Sequence, residues 1–484
     1  MSEGRVTIKR PSLEIPVDTL ELARWQFAIT TIYHFLLVPI SIGLSGFVAL
    51  MHTQWVRSGE DRYLRMTRFW GKVLLINFAL GVATGIVQEF QFGMAWSEYS
   101  RFVGDIFGAP LAIEGLAAFF LESTFLGLWM FGWDRLPRRI HLATIWAVFV
   151  GTMLSAYFIL AANAWMQRPV GAAVNPKAGR AELTSIGEVL TNKTALFAFG
   201  HTVTAAVATG GALIIGVSAW HLWRNRDREH DFFAVSLRWG LRGTLVAALA
   251  TIVVGHFFAQ WMTTVQPMKM AAAEALYETQ DRAPLSLFAF GGLEKSPARL
   301  DANIEVPRLL SFMATDSFDG RVQGLNDLQA EYERRYGPGD YVPILAITYW
   351  SFRIMIGLGL YLAALSAAGL WLLRRGRAVG KWFTWAAVAG IFAPLVANSA
   401  GWMFTEVGRQ PWVVQGLLKT TDGVSPLSSG TLWVSLITFT LLYAALAVVE
   451  LWLLLGVLRG GPEPAPEPIG TSSSGDPLLP SLAY

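Results

Sequence analysis

The chain carries FAPLVANSAGWMFTEVGRQPW at residues 392–412, an apolar run that ends on Trp402, Glu406 and Arg409. A run of roughly 20 apolar residues is long enough to cross a bilayer as an α-helix. Charged side chains are costly within hydrocarbon, so those found in such a run mark functional positions or the membrane surface. The stretch therefore predicts a membrane-spanning helix that ends on a carboxylate followed closely by a guanidinium.

The composition extends this prediction to the whole chain. Of 484 residues, 53% are hydrophobic and 15% are charged, whereas soluble domains carry about 25% charged residues. Cysteine is absent from the sequence, which excludes disulfides, thiolate-held iron–sulfur clusters and covalent c-type haem attachment. Any metal would therefore be held by His, Met, Asp or Glu. The first twenty residues are polar, so we expect no cleavable signal peptide there.

Apolar runs of spanning length recur along the chain and predict an all-α integral membrane bundle of nine transmembrane helices. They lie near 24–52, 69–92, 107–132, 140–165, 195–222, 236–262, 345–373, 381–405 and 431–458. The predicted segments are an N-terminal segment (1–20), helices one to six (21–262), a long polar loop (263–344), helices seven to nine (345–459) and a tail (460–484). The tail is rich in Pro, Ser and Gly, so we expect it to be disordered.

Basic residues in the short loops predict the orientation of the bundle. Loops on the cytoplasmic side carry the excess of Lys and Arg. The loops after helices one, three, five and seven hold Arg57, Arg62, Arg65, Arg68, Arg135, Arg138, Arg139, Arg224, Arg226, Arg228, Arg374, Arg375, Arg377 and Lys381. The loop after helix four and the N-terminal segment are basic exceptions. The majority places the N-terminus and the long loop outside and the C-terminus in the cytoplasm.

Several polar side chains fall within the predicted spans, where each needs a partner or a function. They are His34, Glu114, Glu122, His201, Arg353, Met355 and Glu406. In the predicted orientation, His34, His201, Met355 and Glu406 all lie in the outer half of the membrane. Such a set fits clustered metal cofactors. It also fits histidines that bond between helices, a packed methionine and an ion pair between Glu406 and Arg409 at a helix end.

Longer motifs decide between these interpretations. They are ARWQFAITTIYHFLLVP, WGKVLLINFALGVATG, EFQFG, GDIFGAPLAIEGLAAFFLESTFLGLWMFGWDR, AANAWMQRP, FRIM and GWMFTEVGRQPW. Together, from about residue 20 to residue 415 and in matching order, they resemble subunit I of the cytochrome bd quinol oxidases. The signature GRQPW and the long block on helix three make the resemblance specific.

The resemblance implies three haems and their ligands. His201 and Met355 resemble the two axial ligands of a low-spin haem b, and an iron with both axial positions filled can only relay electrons. Glu406 and His34 resemble the single ligands of a high-spin haem b and a haem d, or a haem b in its place. Which residue serves which haem stays open. Four further residues are implied to neutralise haem propionates or charge or to pack near a macrocycle. These are Arg24, Arg353, Arg409 and Trp402.

The resemblance also implies a quinol site and a proton path. The long loop resembles the family's quinol-binding loop, with Lys269 and Glu274 retained in VQPMKMAAAEALYETQ. On helix three, Glu114 and Glu122 lie about 12 Å apart along an ideal α-helix and about 80° apart around it. This separation suits a water-linked chain better than direct transfer. Two hydroxyls complete the implied path, Ser123 and Ser155.

The implied function is a terminal oxidase subunit. It would oxidise menaquinol or ubiquinol at the outer face and reduce oxygen with cytoplasmic protons, beside a membrane-embedded subunit II and small single-span subunits. A haem–copper oxidase would need a cluster of histidines on several helices, and the chain has only seven His. A secondary transporter would show inverted repeats with broken helices. Neither alternative accounts for the motifs.

Overall fold

The fold is that of a computed structural model, which describes residues 17–224, 229–294, 300–377 and 379–463. Most of the predicted N-terminal segment and of the tail lies outside these ranges, as do Arg226 and Arg228 of the predicted inner loop. The predictions made for those residues stay predictions.

Within the described ranges, nine stretches of helix are long and apolar enough to span a membrane, which confirms the predicted fold class. The helices are α1 (Val17–Ser58), α2 (Asp61–Met94), α3 (Ser97–Ile113), α4 (Phe120–Phe131), α5 (Arg138–Gln167), α6 (Ile186–Leu190), α7 (Lys193–Arg224), α8 (His230–Val265), α9 (Pro267–Glu274), α10 (Leu309–Thr315), α11 (Leu325–Tyr336), α12 (Leu345–Arg374), α13 (Lys381–Val407) and α14 (Ser429–Gly460). The spanning helices are longer than the predicted apolar runs because their polar ends continue beyond the roughly 20 residues needed to cross the hydrocarbon.

The centre of the bundle is formed by α1 and α7, which are the most enclosed of these spans. The two helices cross where Gly43 faces Gly210, and a Cβ atom added to Gly43 would lie 2.8 Å from the Gly210 nitrogen. Small residues let membrane helices approach this closely. Helix α14 buries only 11% of its apolar window, so most of its surface is available to lipid or to another subunit.

The third span contains a π-helical segment, Glu114–Phe119, between α3 and α4. A π-bulge acts as one extra residue inserted into an α-helix. Two residues eight positions apart across the bulge are therefore related by about the rotation of seven α-helical residues. That rotation is roughly 20° short of two full turns, so Glu114 and Glu122 lie about 20° apart around the helix axis. This replaces the 80° separation of Glu114 and Glu122 that uniform α-helical geometry predicts.

The segment between α8 and α12 folds into short elements at one end of the bundle, here called the loop end. Pro267 opens α9 directly after α8, a position where the missing N–H of proline costs nothing. The described residues form four two-stranded sheets, β1 (Ala172–Asn175) with β2 (Arg180–Leu183), β3 (Gln280–Asp281) with β6 (Arg321–Val322), β4 (Leu285–Phe290) with β5 (Ala302–Val306), and β7 (Trp412–Val414) with β8 (Leu418–Lys419). All are antiparallel.

Candidate redox and quinol site

Three of the four predicted haem ligands face a glycine on a neighbouring helix. A Cβ atom added to Gly85 would lie 3.2 Å from His34 Cε1, and one added to Gly255 would lie 3.0 Å from His201 Cε1. A Cβ atom added to Gly401 would lie 3.0 Å from the Met355 sulfur. A residue larger than glycine at any of these three positions would thus fill the space next to the predicted ligand.

The hydrogen bonds around these donors bear on whether they could hold a metal. His201 Nδ1 is buried without a hydrogen-bond partner, which is unusual for a buried polar atom. His34 Nδ1 bonds Thr84 Oγ1 at 2.9 Å, which orients the ring and leaves its other nitrogen for a ligand. Among the residues that the structure describes, no three His, Asp or Glu side chains form a cage for a bare ion. Separate imidazole, thioether and carboxylate donors fit haem iron.

Glu406 is held at the end of α13 by two partners. One carboxylate oxygen pairs with Arg409, and the other accepts a hydrogen bond of 2.9 Å from Asn163 Nδ2 on α5. The Arg409 side chain is 1% exposed, so its charge depends on this partner. The helix-end ion pair that the sequence left as an alternative is therefore present, and the ligand role of Glu406 stays a prediction.

The other residues predicted to handle haem charge lie close by. Arg24 donates to Glu21 at 2.9 Å and to Gln410 Oε1 at 3.2 Å, which ties the start of α1 to the end of α13. The Trp402 ring packs edge-on against Phe35 with centroids 5.2 Å apart. Both contacts place the predicted residues at the loop end.

Arg353 joins the loop to the helix that carries Met355. Its guanidinium pairs with Glu274 at 2.5 Å and donates to the carbonyl oxygens of Ala273 and Ser286. Burial raises the pKa of Glu274, an effect that the Arg353 charge opposes. The predicted quinol residue Glu274 and the predicted haem-charge residue Arg353 thus form one buried ion pair.

Lys269, the second predicted quinol residue, is fully enclosed. Its Nζ donates to Gln167 Oε1 at 3.0 Å, and its stem lies against Gly408, where a Cβ atom would be 2.7 Å from Lys269 Cγ. Burial, together with the Arg409 charge, lowers the pKa of Lys269 to about 7, against the opposing pull of Glu406. The ammonium therefore loses its proton far more readily than a surface lysine does.

The two acids of the third span both face α5. Ser155 Oγ donates to Glu114 Oε1 at 2.5 Å, and a Cβ atom added to Gly151 would lie close to Glu122 Cγ. Gly151 and Ser155 lie one turn apart on one face of α5. Glu122 Oε1 is buried without a partner. Ser123, by contrast, bonds only its own helix, at the Phe119 carbonyl oxygen.

Sequence reasoning missed three polar residues that the fold places in or near these sites. Asn163 and Gln167 lie in the quoted motif AANAWMQRP but received no role. Glu450 is a buried carboxylate within α14 that accepts a hydrogen bond of 3.0 Å from Tyr33, the neighbour of His34. A carboxylate inside an apolar run is the signal that finds Glu450.

In the part of the chain that the structure describes, nine spans with separate imidazole, thioether and carboxylate donors define a polytopic membrane protein suited to haem. The family described as cytochrome bd terminal oxidase subunit I matches residues 22–462. The chain belongs to this family, as the sequence motifs predicted.

Similar proteins cover nearly the whole chain. It is 47% identical over 449 residues to cytochrome bd ubiquinol oxidase subunit 1 of Bacillus subtilis (strain 168), covering 92% of this chain and 95% of that protein. It is 39% identical over 505 residues to cytochrome bd-II ubiquinol oxidase subunit 1 of Escherichia coli (strain K12), covering 92% and 97%. The solved bd oxidase from Geobacillus thermodenitrificans superposes with a TM-score of 0.83 at 29% identity, covering 92% of this chain and 99% of that chain.

Family membership gives the coarse function. The chain is an integral membrane subunit of a respiratory quinol oxidase. The family implies haem cofactors, and the designation subunit I implies a second subunit. The roles of individual residues, the haem types and the orientation are taken up as proposals below.

Proposed function

We propose that the chain is the haem-bearing catalytic subunit that oxidises quinol at the outer face of the bacterial cytoplasmic membrane and reduces oxygen to water with cytoplasmic protons. The loop end and the N-terminus lie outside and the C-terminus lies in the cytoplasm, as the basic loops favour. Proton release outside and uptake inside then build a gradient without a pump. The partners are subunit II and small single-span subunits.

One observation carries this proposal. Helix α9 bears both quinol residues and contacts two of the four helices that bear predicted ligands, α12 and α13. Lys269 packs on Gly408 of the segment that follows Glu406, and Glu274 pairs with Arg353, which lies two residues before Met355. A quinol bound at α9 would therefore be next to the electron acceptors.

The roles at the quinol follow from the chemistry of the two side chains. The Glu274 carboxylate accepts a proton from a quinol hydroxyl, and the Lys269 ammonium stabilises the anion that develops. Neither side chain distinguishes the ring substituents of menaquinol from those of ubiquinol, so the proposal covers both. Arg353 fixes Glu274 in place for this step.

His201 and Met355 would hold a low-spin haem b, while Glu406 and His34 would each supply one ligand to a high-spin haem b and a haem d, or a third haem b. When bound, these groups pass electrons from quinol to oxygen. Arg24, Arg353 and Arg409 offset negative charge from carboxylates and propionates, where a planar guanidinium fits well. Trp402 packs beside a macrocycle.

Protons for oxygen reduction travel along the third span. Glu122 and Glu114 carry them toward the loop end, and Ser155, bonded to Glu114 at 2.5 Å, relays between them. Ser123 belongs to the same path in this proposal, through rotation of its hydroxyl away from its own helix. The shared face toward α5 supports this path because it brings both carboxylates to one side.

A reduced-minus-oxidised absorption spectrum of the purified two-subunit complex tests the proposal. We expect b-type bands, with a far-red band if haem d is present. Met355→Leu should remove the low-spin band alone, while Met403→Leu, an exposed methionine of α13, should leave the spectrum unchanged. A complex without haem bands, or an unchanged low-spin band in Met355→Leu, would contradict the proposal.

A further inference from the structure

Two amide side chains of the AANAWMQRP motif (residues 161–169) occupy the space between the quinol and haem residues. Asn163 and Gln167 lie four residues apart near the end of α5, so they project from the same face of that helix. Gln167 is 3% exposed, and its own backbone carbonyl accepts a hydrogen bond of 2.7 Å from Gln266 Nε2. The pair is held in place and has no role in the function proposed above.

The pair completes an unbroken chain of hydrogen bonds, which we name the amide ladder. Lys269 Nζ donates to Gln167 Oε1 at 3.0 Å. Gln167 Nε2 donates to Asn163 Oδ1 at 3.0 Å. Asn163 Nδ2 donates to Glu406 Oε1 at 2.9 Å. The ladder thus begins at the buried cation of the quinol site and ends on the carboxylate of the haem site.

The chemistry of the two ends fixes the direction of every bond. An ammonium can only donate, and an ionised carboxylate can only accept. A flipped amide at Gln167 or Asn163 would set donor against donor on one side of that amide and acceptor against acceptor on its other side. Both amide dipoles therefore point the same way, and aligned hydrogen bonds in a low-dielectric interior strengthen one another.

We propose that Asn163 and Gln167 are positioning residues that couple the charge at Lys269 to the carboxylate of Glu406, and through it to the haem that Glu406 holds. This inference rests on the proposed function and adds to it a connection between the two sites. Arg409 holds the other oxygen of Glu406, so the carboxylate cannot turn away from the ladder. Because a nearby cation favours the reduced state of an iron centre, an intact ladder should raise the reduction potential of that haem.

A double-mutant cycle in the two-subunit complex tests the coupling. The variants are Lys269→Met, Gln167→Met and the combination, and the readout is the midpoint potential of each haem from a spectroscopic redox titration. We expect Lys269→Met to lower the equilibrium constant for reduction of the Glu406 haem roughly threefold. In the Gln167→Met background, the same substitution should shift it by less than half as much. Equal shifts in both backgrounds would overturn the proposal.

Further variants separate coupling from general damage. Gln266→Met removes a bond to the backbone of Gln167 but leaves the ladder intact, so its potentials should match those of the unmodified complex. If Gln167→Met fails to assemble, Asn163→Leu breaks the ladder one bond nearer to Glu406 and should reduce the coupling to the same extent. If the complex binds haem but the potential shifts are equal in both backgrounds, the coupling proposal is wrong and the proposed function stands. If the unmodified complex binds no haem, both the proposed function and the coupling proposal are wrong.

Discussion

The loop end and the middle of the third span both contain buried carboxylates, but the two regions differ in the partners that these carboxylates have. At the loop end, Glu274 and Glu406 are each paired with a buried arginine. In the third span, Glu114 bonds one serine, and Glu122 has a buried oxygen without a partner. A fully paired carboxylate keeps its position. A sparsely paired one can recruit water, so the first region suits carboxylates held against one partner or substrate, and the second suits proton transfer along a path.

Glu406→Ala should give the largest effect because it removes a proposed ligand and leaves the buried Arg409 charge unpaired. We expect the complex to lose one high-spin haem and its oxygen consumption to fall at least about 100-fold, while the low-spin band remains. Haem content and absorption spectra measure both. Glu98→Gln, at a carboxylate that pairs with the exposed Arg101, is the control and should behave as the unmodified complex. Full haem content in Glu406→Ala would refute the ligand role.

The membrane bundle could be predicted from the sequence because its signal is local. Each apolar run predicts one spanning helix, as the run 381–405 predicts α13 (Lys381–Val407). The candidate ligands could be named because His34, His201 and Glu406 stand out in hydrocarbon, and His34 and Glu406 also lie in the quoted family motifs.

The partners of these residues could not be predicted in the same way. The pairing of Arg353 with Glu274 joins residues 79 positions apart, and no local pattern encodes such a contact. Likewise, the π segment at Glu114–Phe119 contacts α5, a neighbour that lies outside the reach of local sequence patterns. Helical periodicity assumes a uniform α-helix, so it predicted about 80° between Glu114 and Glu122, and the π segment reduces this angle.

Arg353→Met should cause the next largest change, in stability. Its side chain is 11% exposed and that of Glu274 is 4% exposed, and removal of one member of a buried ion pair typically costs about 3–5 kcal/mol. We expect a lower unfolding temperature and faster proteolysis of the 263–344 loop. Adding Glu274→Gln removes the carboxylate charge that Arg353→Met leaves buried and unpaired, so the double variant should regain part of the lost stability. A double variant less stable than Arg353→Met would contradict this account of the pair.

Glu122→Gln tests the sparsely paired region. The amide keeps the size of the side chain but cannot carry a proton, so turnover should fall by roughly 10- to 100-fold. Haem spectra and unfolding temperature should stay close to those of the unmodified complex because Glu122 Oε1 makes no hydrogen bond that the substitution could break. Proton uptake from the cytoplasmic side of reconstituted vesicles gives the direct measurement. Normal uptake with normal turnover would remove Glu122 from the path.

A matched pair of serine variants gives the smallest effect and the sharpest contrast. Ser155→Ala removes the hydrogen bond of 2.5 Å to Glu114, and the loss of one such bond should slow turnover about three- to tenfold. Ser123→Ala removes only a bond to the backbone of its own helix, so its turnover should change less than that of Ser155→Ala. Both variants keep the third span helical, and oxygen consumption at saturating quinol compares them directly. If Ser123→Ala were the slower variant, the path would run along the opposite face of the third span, away from α5, and the alignment of Glu114 and Glu122 by the π segment would have no part in proton transfer.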